Sequence, residues 1–297
     1  MTDTTATPTE TETHTLEVPG AVLTYDVRRS PSSTDPALLL IGSPMGAAGF
    51  ETLAAHFPDR TVLTYDPRGA ERSRRTDGAA VSTPEEHADD VRRVVEAEGG
   101  GPVDVFASSG GAVNALVLVA RHPEAVRTLV AHEPPAAAAL TDREAALAAC
   151  QDVHETYLRD GMGAGMVKFI SLVGHRGEVP ADWADLPIPD PATFGLPTED
   201  DGSRDDVLLG QNMISCTHHE HDFEALRSAT TRIVLGAGED SEGELANRGA
   251  HSVAAATGRP VVAFPGHHAG FLGGEYGQTG KPDEFAARLR EVLAGAE

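Results

Sequence analysis

At 297 residues, 40% hydrophobic and 23% charged, the chain can bury a sizeable core in one large domain or two smaller ones, and its composition excludes a disordered protein. A formal net charge of -23, with Lys168 and Lys281 the only lysines, argues against nucleic acid or an anionic membrane surface as partner, since both would repel it. Cys150 and Cys216 make neither a disulfide framework nor a Cys-x-x-Cys zinc spacing, and no apolar run approaches the ~20 residues that span a bilayer. Met1–Thr13 is rich in Thr and Glu and lacks the apolar stretch of a signal peptide, so residues 1–13 read as a disordered tail on a cytoplasmic protein.

In chain order, Thr15–Val18 and Val22–Val27 alternate around Pro19-Gly20 and predict a hairpin at a sheet edge. Ala37–Ile41 is an apolar run of the kind buried on both faces of a parallel sheet, and it runs into a small-residue loop, Gly42–Phe50. A short helix at Glu51–His56, a strand at Thr61–Tyr65 and a loop at Asp66–Ser73 follow. Thr83, Pro84 and Glu86 then give a capped helix start, and the helix stops at Gly99-Gly100-Gly101.

The next stretch, Val103 to Ala120, is the centre of the chain. A β-like apolar run ends in Ala107-Ser108-Ser109-Gly110-Gly111 and restarts as a helix. A strand that turns this sharply into a helix needs small residues on both sides of the turn, and it holds one residue at a strained apex. Ser109 is that residue, because it alone has small residues two positions away on either side. The plainer reading is a serine N-cap on an ordinary turn.

After the strand at Val126–Ala131 the alternation breaks. Residues 136–227 predict helices at Glu144–Leu158 and Gly165–Leu172, Pro- and Asp-rich connections, and a last helix near Phe223–Arg227. Strands at Thr231–Gly236 and Pro260–Phe264, with helices at Glu242–Thr257 and Pro282–Ala294, resume the earlier pattern. The division expected is an α/β core of mostly parallel sheet flanked by helices, over residues 14–135 and 228–297, with residues 136–227 as a helical lid. Apolar positions in that insertion, such as Met166, Phe169 and Ile170, serve either its own core or an apolar pocket. His218-His219-Glu220-His221-Asp222 is dense in metal-ligating types, but adjacent residues diverge and no distant ligand set completes it, so neither metal nor cofactor is expected.

This order resembles the α/β-hydrolase fold over nearly all of residues 15–295. Four motifs carry the likeness: the Ala107–Gly111 elbow, Ile41-Gly42-Ser43-Pro44 against the family's His-Gly-x-Pro loop, Asp66-Pro67-Arg68-Gly69 against D-x-R-G-x-G-x-S, and Pro265-Gly266-His267-His268 against Pro-Gly-x-His. Ile41 replaces the family's His, and Glu71 stands where Gly is common.

The resemblance implies Ser109 as nucleophile, with Ser108 its rival and otherwise a substrate-binding neighbour, and His268 as base, with His267 the alternative. A serine hydroxyl needs such a base, and the base needs a carboxylate to hold its tautomer. Two positions compete for that acid. Glu133 ends the strand after the nucleophile helix, where lactone hydrolases and some dehalogenases of the family carry it. Asp240 lies after the next strand, but counting the usual Gly-x-x-Asp from Gly238 lands on Ser241. Glu133 is favoured and Asp240 kept as alternative. Backbone N–H groups of Ser43 and Gly110 would form the oxyanion hole, with Gly42 and Met45 against the substrate. The expected activity is a cofactor-free serine hydrolase cleaving an ester or lactone of a small, largely apolar molecule, with a homodimer left open. C–C hydrolysis or perhydrolysis on the same triad, and a non-catalytic binding protein on this scaffold, are the alternatives.

Overall fold

The structure, a computed structural model, describes residues 10–295. Strands β1 (Thr11–Val18) and β2 (Ala21–Arg28) pair antiparallel from Val18–Ala21 out to Thr11–Arg28. The first strand therefore takes in Thr11–Thr13, which the sequence assigned to the tail; residues 1–9 of that expectation lie outside the described residues. Then follow β3 (Leu38–Ile41), α1 (Glu51–Ala55), β4 (Val62–Tyr65), the short β5 (Arg74–Arg75), α2 (Pro84–Ala97), β6 (Val103–Ser108), α3 (Gly110–Arg121) and β7 (Val126–His132). A helical stretch contains α4 (Arg143–Asp160), α5 (Met162–Val173), α6 (Met213–Thr217) and α7 (Phe223–Ser228). The chain closes with β8 (Arg232–Gly238), α8 (Leu245–Thr257), β9 (Val261–Phe264) and α9 (Pro282–Leu293).

The strands form one sheet in the order β1-β2-β4-β3-β6-β7-β8-β9, with β5 beside β2. Every neighbouring pair from β4 to β9 is parallel, and β2 meets β4 antiparallel. Alternate residues of the central strands feed two cores. Leu39, Ile41, Val105, Ala107, Leu129, Ala131, Ile233 and Leu235 pack under α2, α3 and α8, whereas Leu38, Leu40, Phe106, Val130 and Val234 pack against α1 and α9. Burial on both faces is why these strands read as continuous apolar runs.

Helix α2 begins with the anticipated capping box: Glu86 N–H donates to Thr83 Oγ1 at 3.2 Å, and Thr83 N–H to Glu86 Oε2 at 3.0 Å. The arginine of the Asp-Pro-Arg-Gly loop is structural. Arg68 is buried and grips Asp90 of α2 with two bonds of 2.7 Å. Asp66 accepts from Ala47 N–H at 2.8 Å, tying the loop after β3 to the end of β4. Gly46 leaves the room this needs, since a Cβ there would lie 2.5 Å from the carboxylate.

The helical stretch has a core of its own, including Val153, Tyr157, Leu172, Leu209 and Met213. Helix α7 does not belong to it. Its Leu226 is buried with the sheet residues, and α7 packs on α3 and α8. No helix among the described residues is long and apolar enough to cross a membrane.

Candidate active site

The carboxyl ends of β3, β6, β7, β8 and β9 lie side by side, and the loops that leave them meet in one place, where open α/β sheets bind ligands. Ser109 stands between β6 and α3 with φ 57° and ψ -129°, a backbone conformation that L residues rarely adopt. Its side chain makes no cap hydrogen bond to α3, so the N-cap alternative is not what this serine does. Gly111 must be glycine: a Cβ would sit 2.7 Å from Gly42 Cα and 2.7 Å from Ile41 O. That close approach presses the elbow against the loop carrying Ser43. Gly110 is tight in the same way, with a Cβ falling 2.6 Å from Ser43 O.

Glu133 ends β7, also with positive φ (48°), and is 1% exposed. Its Oε2 lies 2.7 Å from His268 Nδ1. Its Oε1 accepts from Gly238 N–H at 2.8 Å, Ser241 Oγ–H at 2.5 Å and Asn247 Nδ2–H at 3.2 Å. Burial alone would raise this carboxyl, but the hydrogen bond from His268, the neighbouring imidazoles and the Ser241 bond outweigh it and bring the pKa down to about 2. An ionised Glu133 accepts only, so Nδ1 of His268 carries a proton and Nε2 is left as the acceptor.

Asp240 is placed otherwise. Its carboxylate is exposed and held by Lys281 Nζ at 2.9 Å, while its N–H donates to Gly266 O. The structure brings Glu133, not Asp240, to His268. Ser241, three residues after Gly238, hydrogen-bonds the carboxylate of Glu133 at the end of the neighbouring strand. His267 turns its Nδ1 to accept from Ala269 N–H at 3.0 Å.

Ser109, Ser108, Gly110, Gly42, Ser43, Met45, His267 and His268 all line one cavity of about 840 Å³, walled on its far side by residues of the insertion such as Phe169, Ile170 and Met213. Three carboxylate residues, Glu71, Asp206 and Glu244, reach its lining, and no Lys or Arg does among the described residues. Glu71, where the resemblance leads one to expect glycine, has a left-handed backbone (φ 50°). Ile41 is fully buried in the core.

Sequence reasoning missed three contributors. Ser241 and Asn247 fix the far oxygen of Glu133, and the one available signal was that Ser241 falls three residues after Gly238. His132 lies in a box of Phe106, Phe264, Phe271 and Phe285, with ring centroids 5.3–6.4 Å away, and its ring is 6.1 Å from that of His268. Neither of its nitrogens finds a partner among the described residues, and burial lowers its pKa to about 4. It therefore stays neutral behind His268. The His218–Asp222 stretch lies at the end of the insertion; Asp222 caps α7 by accepting from Ala225 N–H, and burial holds His221 near pKa 3. Among the described residues no group of three His, Cys, Asp or Glu is disposed to hold a metal.

Comparison with known proteins gives the same picture of the fold. A family model for the alpha/beta hydrolase fold matches residues 36–166. "Uncharacterized hydrolase YraK" of Bacillus subtilis (strain 168) is 32% identical over 293 residues, covering 94% of this chain and 95% of that protein. Among solved structures, the enol-lactonase from Burkholderia xenovorans LB400 superposes with TM-score 0.66 at 16% identity, over 95% of this chain and 100% of its own. One from the carboxylesterases of Nitrososphaera gargenis gives 0.66 at 16% identity, over 95% and 98%. With a matching family model and a near full-length relative of this identity, the chain belongs to the alpha/beta hydrolase fold family and is a hydrolase.

Proposed function

We propose that the protein is a cofactor-independent serine hydrolase that cleaves a carboxylic ester or lactone of a small, largely apolar molecule. The observation that carries this reading is the 2.7 Å bond from His268 Nδ1 to Glu133 Oε2, at the rim of a cavity that also holds Ser109 at a left-handed strand–helix turn. In this mechanism Ser109 Oγ attacks the carbonyl carbon and His268 Nε2 takes its proton. Glu133 holds the imidazole in the required tautomer and stabilises the imidazolium. The tetrahedral oxyanion accepts from the backbone N–H groups of Gly110 and Ser43, donors of a kind worth roughly 3–4 kcal/mol each. The first N–H groups of α3 have no intrahelical partner, and the helix dipole favours negative charge there. His268 then returns the proton to the leaving alcohol, and a water deprotonated by the same imidazole releases the acid.

The neutral-to-acidic lining supports an uncharged substrate, since a carboxylate-bearing one would meet Glu71, Asp206 and Glu244 without a lysine or arginine to pair with. A reducing, cytoplasmic setting suits two free buried thiols, Cys150 and Cys216. The departures at Ile41 and Ser241 motivate the non-catalytic alternative, and the hydrogen bond from Ser241 to Glu133 favours the catalytic reading over it. The decisive experiment is intact-protein mass after fluorophosphonate treatment. One adduct on the wild type and none on Ser109→Ala is expected; a folded wild type that takes no adduct and hydrolyses no p-nitrophenyl ester overturns the proposal.

A further inference from the structure

Asn212 of the insertion donates from Nδ2 to Ser43 Oγ at 2.6 Å, across 169 positions of sequence. The two residues are 4% and 5% exposed, and both line the cavity. Asn212 is the last residue of a π-helical turn, Leu208–Asn212, directly before α6. Such turns are rare and occur frequently at functional sites. The side chain of Ser43 lies against the elbow, since a Cβ on Gly110 would be 3.3 Å from Ser43 Cβ.

A hydroxyl has one proton to give and two lone pairs, whereas the Asn amide nitrogen only donates. With one lone pair of Ser43 Oγ occupied by Asn212, the hydroxyl proton is left free to point elsewhere, and the bond accepted strengthens the one that can be given. The space in reach is the cavity beside the Gly110 N–H. We infer that Asn212 is a positioning residue that fixes the Ser43 hydroxyl as a third donor to the oxyanion, beside the backbone N–H groups of Ser43 and Gly110. This rests on the hydrolase reading above. It also makes the oxyanion site partly a product of the insertion, because one of its three donors is set from there.

The test is steady-state hydrolysis of p-nitrophenyl butyrate, with inhibition by an aryl trifluoromethyl ketone, whose serine adduct carries the oxyanion. Ser43→Ala should lower kcat roughly tenfold to a hundredfold, somewhat below the loss of a main-chain-type donor, and leave KM within about twofold. The inhibitor Ki should rise in step with the fall in kcat/KM. Asn212→Ala should lower kcat in the same way, and the Ser43→Ala/Asn212→Ala double variant should be no worse than Ser43→Ala alone. Asn212→Asp, of equal volume, turns the bond round by accepting the Ser43 proton, and should be at least as slow as Asn212→Ala. It keeps the question decidable if Asn212→Ala misfolds. Ser43→Thr retains the hydroxyl and should recover most of kcat. Unchanged kcat in Ser43→Ala, or losses that simply multiply in the double variant, overturn the inference while leaving a Ser109-dependent hydrolase standing. A wild type that neither turns over the ester nor accepts a fluorophosphonate overturns both.

Discussion

Replacing Glu133 by Gln is the sharpest probe of the site. The carboxylate accepts three hydrogen bonds on Oε1, from Gly238, Ser241 and Asn247, and one on Oε2, from His268. Glutamine fits the same space, and its carbonyl oxygen can serve the three donors. Its amide then faces His268 Nδ1 with N–H groups. Two donors cannot share a 2.7 Å contact, so the imidazole must move its proton to Nε2, the nitrogen that in the proposed mechanism receives one from Ser109. In triads where only this tautomer is spoiled, kcat falls by about 10⁴, which at about 1.36 kcal/mol per decade is roughly 5 kcal/mol of transition-state stabilisation. The fold should lose far less, on the order of 1–2 kcal/mol, because three of the four bonds persist. The assay is kcat on p-nitrophenyl butyrate, beside urea unfolding of the same variants. Asp240→Asn is the control: it removes only the solvent-exposed pair with Lys281, which contributes little, and should leave kcat within about twofold. A Glu133→Gln enzyme that keeps more than about a tenth of wild-type kcat, or an Asp240→Asn enzyme that loses as much, would refute the assignment.

Three further outcomes follow from the same geometry. In a Glu133→Ala background, Ser241→Asp should restore at least about tenfold of the lost kcat, because Ser241 Oγ already touches the space that the carboxylate leaves; rates that stay flat would mean the loop cannot turn an acid toward His268. Gly111→Ala drives a Cβ into backbone at Gly42 and Ile41, and should cost about 2 kcal/mol or more in urea unfolding together with kcat, whereas the same change at Gly258, which has nothing within 4 Å but φ +67°, should cost only about 1 kcal/mol and spare kcat. His132 titrates near 6.5 in the unfolded chain but near 4 in the fold, so below pH 6.5 the unfolded state holds the extra proton and stability falls as pH drops, by about 1.4 kcal/mol per unit for this residue down to pH 4. His132→Phe, matching the surrounding phenylalanines, should remove that slope and be neutral or stabilising at pH 7; urea midpoints at pH 7, 6, 5 and 4 measure it, and an unchanged slope would mean that His132 does not stay neutral.

Much of the fold was legible because its signals are local. Parallel strands buried on both faces leave unbroken apolar runs, and the Thr83–Glu86 capping box and the small residues around Ser109 work within a few positions of themselves. The parts that escaped are decided by partners far away in sequence. Nothing in Phe223–Ser228 says whether its apolar face will meet the insertion or the sheet; the choice is made when Leu226 finds α3 and α8. No residue pattern marks the π turn that aims Asn212 at Ser43. The acid stayed ambiguous for the same reason: Glu133 and Ser241 are 108 positions apart and become neighbours only because β7 and β8 pair in register.

That pairing also explains why a glutamate at the end of β7 goes together with a serine three residues after Gly238. The side chains of residues 133 and 241 converge on one point beside His268, with Ser241 Oγ 2.5 Å from Glu133 Oε1. Carboxylates at both positions would place two anions in contact in a buried site, and one of them would have to take up a proton to stay. A protonated acid can no longer only accept, so it would compete with the imidazole for the very bond that sets the tautomer. A serine at 241 avoids this. It donates to the single carboxylate, helps hold it ionised, and leaves Oε2 for His268. The serine at the usual acid position and the glutamate at the end of β7 are therefore one arrangement, and either residue alone would make a poorer site than the two together.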